Sequence, residues 1–165
     1  MTAQQALFLL FGVITLGAAL AVVVGRNLFH TALWLLLVFF GVAGIYVLLE
    51  APFFAAAQLF IYMGAIGILI IFGVMLTRRV MRQPLPRANE QWWLAAIMAV
   101  ALLGVLAWLA WQQPWTAAAA AVPENSISLL GLALVDPEGF ALPFEVASVL
   151  LVMALIGAVM IVRER

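Results

Sequence analysis

Five apolar runs, at about 6–24, 31–49, 53–76, 92–111 and 144–162, the first four without charge and the fifth with Glu145 alone, constrain this chain more than any other feature. A bilayer core of roughly 30 Å is crossed by about 20 apolar residues wound as a helix, and backbone facing lipid must satisfy its own hydrogen bonds. Each run is long enough to cross, which predicts an all-α integral membrane protein of five transmembrane helices. With 68% apolar and 8% charged residues, little of the 165 is left for a soluble domain, so residues 1–165 are read as a single membrane domain. The opening Met1-Thr2-Ala3-Gln4-Gln5 lacks the positive n-region of a cleavable signal, and the first run is expected to stay as a span.

The arginines set the expected orientation. Arg26 follows the first run, Arg78, Arg79, Arg82 and Arg87 the third, and Arg163 and Arg165 the fifth, so all seven fall on one side. Glu50, Glu124, Asp136 and Glu138 fall on the other. Basic residues near span ends are retained in the cytoplasm, which places the N-terminus outside and the C-terminus inside, in a bacterial cytoplasmic membrane. Tryptophans favour the headgroup level; Trp92 and Trp93 open the fourth run, and Trp108, Trp111 and Trp115 close it. The separation of Trp92 and Trp111 corresponds to roughly 28 Å of helix, a simple crossing. Residues 112–143, with Pro123 and Asp136-Pro137-Glu138-Gly139, read as an external loop. Its apolar piece Ile127 to Val135 is too short to span, and suits the interface or a neighbouring subunit.

Few residues are left for chemistry. The absence of cysteine removes disulfides, thiolate metal sites and cysteine-ligated iron–sulfur clusters, and zero net charge without a basic face argues against nucleic acid. The single histidine, His30, stands where the second run begins; it cannot make a multi-histidine metal site and suits interfacial hydrogen bonding. Ionisable groups inside spans mark ion paths, and the first four runs carry none away from their ends. Glu145, just after Leu142-Pro143-Phe144, reads either as a proton-accessible acid or as a helix-start carboxylate favoured by the dipole. No catalytic triad or phosphate loop can be assembled, so the chain is not expected to catalyse bond chemistry alone.

The third run differs from the rest. Gln58, Tyr62, Gly64, Gly67 and Gly73 interrupt residues that are otherwise apolar. Glycine lets neighbouring helices approach closely, so Gly64, Ala65 and Gly67 can be packing points. The same residues make local rearrangement less costly, so the helix can also be poised between ordinary α winding and a π-bulge of the kind found at functional sites.

The run Tyr62-Met63-Gly64-Ala65-Ile66-Gly67-Ile68-Leu69 with Phe72 and Met75-Leu76 resembles a known family. So do Asn27 with His30-Thr31-Ala32-Leu33, and Pro143-Phe144-Glu145-Val146-Ala147-Ser148-Val149-Leu150-Leu151 with Ala154-Leu155-Ile156-Gly157-Ala158. The family is the J-type membrane subunit of respiratory complex I, the proton-pumping NADH:quinone oxidoreductase. These blocks, in this order, cover the first half and the last quarter of the chain. Departures are Leu28 where the family commonly has proline, and Gly67 and Gly73 where it has bulkier residues. The resemblance implies a translocase subunit with no cofactor of its own, with flavin, iron–sulfur clusters and quinone on partner subunits. It also implies packing beside the K-type, A-type and quinone-cavity subunits. It further implies a third helix that switches between α and π forms and opens or closes a water path toward carboxylates on a neighbour. Tyr62, Gly64, Ala65, Ile66 and Gly67 would then form the switch, with Leu69 and Phe72 as apolar plugs. Two other classes compete: a purely structural scaffold subunit, and an independent small-solute transporter or channel, against which the lack of buried charge argues.

Overall fold

The structure, a computed structural model, describes residues 2–77, 91–113, 123 and 125–163. Among these, five helices are long and apolar enough to cross a membrane: α1 Ala3–Val24, α2 Leu28–Leu48, α3 Pro52–Leu76, α4 Trp92–Gln112 and α6 Ala141–Val162. A shorter apolar helix, α5 Ser126–Val135, precedes the last. Of the residues used above for orientation and anchoring, Arg78, Arg79, Arg82, Arg87, Arg165, Glu124 and Trp115 lie outside the described residues.

Four helices start ahead of their apolar runs, α3 by a single residue, and two of them do so on side-chain caps. At α1 the Thr2 hydroxyl accepts from the Gln5 N–H at 3.4 Å while the Gln5 side chain accepts from the Thr2 N–H at 3.0 Å, a reciprocal capping box. At α2, Asn27 Oδ1 accepts from the N–H groups of Phe29 at 3.0 Å and His30 at 3.4 Å. Asn27 is therefore a helix cap, and His30 lies in the first turn with its ring edge-on to Phe29. Before α6, Asp136 Oδ1 accepts from the Glu138 N–H at 3.1 Å and the Asp136 carbonyl from the Gly139 N–H at 2.9 Å, a side-chain-braced turn. The helix then begins at Ala141 rather than at Phe144. Within the stretch expected as an external loop, residues 126–135 are thus helical: the apolar piece winds up rather than running irregularly, because a helix satisfies its own backbone hydrogen bonds.

The chain divides into two compact units, Met1–Ala118 and Ala119–Arg165. In the first, α1 and α2 approach closely at two glycines: a β-carbon at Gly41 would run into the Thr15 side chain, and one at Gly44 into the Phe11 ring. Phe11 also meets Phe40 edge-on at 6.3 Å. Beneath these contacts a wholly apolar hollow of about 260 Å³ is lined by Phe11, Phe40, Ala43, Gly44 and Leu59 among others.

α2 and α3 are joined by a turn of three residues. Glu50 is left-handed (φ 55°), its N–H donates to the Val47 carbonyl at 3.1 Å, and the Ala51 N–H reaches back to the Tyr46 carbonyl at 3.0 Å. This is the Schellman termination, with glutamate in the place glycine usually takes. Pro52 then occupies the first position of α3, where a missing N–H is harmless. Rings of Tyr46 and Phe54, 5.8 Å apart, close the hairpin. By contrast α4 contains no buried residue, and Trp92, Trp93, Trp108 and Trp111 at its ends are all exposed. In the second unit, α5 and α6 pack as a hairpin across the Asp136 turn.

Candidate functional site: the π segment of the third span

α3 is not uniformly α-helical. Pro52–Ala57 is α, Gln58–Ile66 is π-helical, and Gly67–Leu76 is α again. At the exit, the Gly67 N–H donates to the Tyr62 carbonyl, five residues back, as well as to Gly64. The sequence anticipated a π-bulge, a single wide turn; the structure has nine residues of π winding.

The expected switch residues fall within or directly after this segment. Tyr62 packs its ring on Phe39 of α2, with centroids 5.8 Å apart, while 46% of the residue stays exposed. A β-carbon at Gly64 would sit 3.2 Å from the Leu59 carbonyl, and one at Gly67 3.2 Å from the Tyr62 carbonyl, the oxygens five residues back that face the widened ladder. Such crowding is tolerable, since Ala65 carries a β-carbon in the same stretch. The decisive contact at Gly67 is elsewhere: a β-carbon there would run into Leu36 of α2. Gly67 is buried and marks where the two helices touch, so this glycine is a packing point.

Leu69 and Phe72 face the other way. They are 72% and 63% exposed, and Ile66 is 41% exposed, so among the described residues of the first unit nothing covers the face that carries them. α3 therefore has a seam against α2, with Gln58, Tyr62 and Gly67, and an open apolar side with Ile66, Leu69 and Phe72.

Gln58 was visible in the sequence as an interruption but had no assigned place. The structure makes it the first residue of the π segment and the buried polar side chain of the described residues, at 8% exposure. A polar side chain one π turn before a tyrosine was the available signal; nothing in the spacing said which face it takes.

Glu145 lies in the second unit as the fifth residue of α6, exposed, and the first turn of that helix has no acidic residue. The dipole's influence fades within the first turn, so the earlier helix start weakens the helix-start account of this carboxylate. Among the described residues, no three His, Asp or Glu side chains come together as a metal site.

A family model described as NADH-ubiquinone/plastoquinone oxidoreductase chain 6 matches residues 18–161. The chain is 37% identical to the NAD(P)H-quinone oxidoreductase chain 6 of Leptolyngbya boryana over 158 residues, covering 95% of this chain and 78% of that one. It is 34% identical to the F(420)H(2) dehydrogenase subunit J of Methanosarcina mazei, covering 94% and 89%. A chloroplastic NAD(P)H-quinone oxidoreductase subunit 6 of Nephroselmis olivacea is 40% identical, covering 88% and 84%.

Proposed function

This chain belongs to the NADH-ubiquinone/plastoquinone oxidoreductase chain 6 family, and from that premise we propose that its π-wound third helix gates proton movement in a membrane-bound quinone oxidoreductase. Family membership makes it one subunit of a multisubunit, complex I-type oxidoreductase, with the other subunits as its partners. NADH is the proposed donor, and flavin, iron–sulfur clusters and quinone are proposed to sit on those partners. The K-type, A-type and quinone-cavity subunits would be the neighbours, in a bacterial cytoplasmic membrane with the N-terminus outside and all 165 residues forming one membrane domain.

The observation that carries the gating is the π segment itself. A stretch of i→i+5 bonds flanked on both sides by α-helix is held against competition from the ordinary ladder, and such defects concentrate at functional sites. Returning one residue to the α ladder would turn everything beyond it by roughly 100° about the axis. Leu69 and Phe72, on the open side just past the segment, would swing with that turn and seal or release a water path shared with the neighbouring subunit. The chain carries no acid within its first three helices, so the protons would rest on groups of the partners. Glu145 is proposed as an acid within proton reach; Glu145→Gln should then slow pumping in the assembled complex, and unchanged pumping would return it to a structural role.

The scaffold reading is favoured at one point, the Gly67–Leu36 contact. The two readings separate in the assembled complex, imaged at rest and under turnover. Gating requires the 58–66 segment to be π in one state and α in another; the same winding in every state would leave the scaffold. As an independent check, Leu69→Ala with Phe72→Ala should lower the protons moved per quinone reduced without slowing quinone reduction.

A further inference from the structure

We infer that Gln58 holds an ordered water molecule in the seam between α2 and α3, at the start of the π segment. The residue stands about six positions past Pro52, roughly 9 Å below the end of the helix and so within the hydrocarbon layer. It is 8% exposed, and its side-chain amide makes no hydrogen bond within the described residues. A buried amide in an apolar medium is unfavourable until both its donor and its acceptor are met.

The facing helix cannot meet them. Phe39 of α2 lies against Tyr62 and Tyr46 against Phe54, which places residues 40–45 opposite Gln58. Those residues are Phe40, Gly41, Val42, Ala43, Gly44 and Ile45, with no donor or acceptor side chain among them. Nor is the amide sealed, because no fully enclosed side-chain nitrogen or oxygen among the described residues lacks a partner. The amide therefore keeps a little accessible surface, which a molecule the size of water can reach.

Gln58 and Tyr62 are the only amide and hydroxyl side chains of α3, and they stand one turn apart on the side that meets α2. Water accepting from the amide N–H and donating to the amide oxygen or the tyrosine hydroxyl also stands where the ladder changes from α to π, and inserted water is one of the recognised causes of such a break. The site deepens the proposed gate and rests on that reading only for what the water is used for.

The test is a map of the assembled complex fine enough to show solvent, for the parent and for Gln58→Met, which keeps the length and loses the amide. Solvent density within hydrogen-bond distance of the Gln58 amide, absent from the methionine variant, is the expected result. No density there, or a side chain of another subunit bonded to the amide, overturns the proposal, and the parent map alone decides this if the variant does not assemble. Pumping is read separately: if the water serves the gate, Gln58→Met slows proton translocation by about fivefold, the factor for one ordinary buried hydrogen bond. A variant that loses the water and pumps at the parent rate upholds the site and counts against the gate.

Discussion

The third and fourth spans are both long, apolar and free of charge, yet they are built for different neighbours. α4 is regular from Trp92 to Gln112, has no buried residue, and a β-carbon at its Gly104 would touch nothing within 4 Å. α3 is wound in two ways, buries Gln58 and Gly67 against α2, and leaves Leu69 and Phe72 open. Hydropathy decides that a segment enters the bilayer; small and polar interruptions decide what it does there.

Substitutions at Gly67, Glu50 and Gly104 break or sharpen that contrast. Gly67→Leu should have the largest effect, since the new side chain enters the space of Leu36. Overpacking of this kind destabilises by roughly 1–3 kcal/mol, read as a lower melting temperature of the purified complex and as lost quinone-coupled pumping. Retained pumping in a fully assembled Gly67→Leu complex would remove the basis for treating α3 as special. Glu50→Gly comes next and runs in the opposite direction: glycine relieves the left-handed position by about 1 kcal/mol, measured as resistance to denaturant. Gly104→Leu should matter least, within about 0.5 kcal/mol, and a loss as large as that at Gly67 would erase the difference between the two helices.

Much of this was legible before any coordinates. The five spans follow from apolar length with at most one charge, and Gly64 and Gly67 mark α3 as the irregular one. Helix starts were misplaced where side chains cap the backbone, because Thr2 and Asn27 are polar and fall outside an apolar run. The 126–135 helix was hidden by its shortness. The left-handed Glu50 could not be foreseen, since glutamate gives no turn signal and the hairpin geometry imposes its conformation. For the site, Tyr62 to Gly67 could be named from sequence, but the division of α3 into a seam and an open side needed the packing of α2. Gln58 drew its place from that packing as well.

The winding of α3 also bears on its fit to the membrane. Its 25 residues would reach about 37 Å as a continuous α-helix, against about 31 Å for the 21 of α4 and a hydrocarbon layer of roughly 30 Å. Wider turns hold more residues per unit of length, so the π segment shortens α3 toward the layer it must match. Reversion to α would lengthen the helix and force it to tilt or to push Thr77 toward the headgroups, at a modest cost for each ångström of mismatch. Membrane thickness thereby enters the balance between the two windings, and longer acyl chains favour the longer helix.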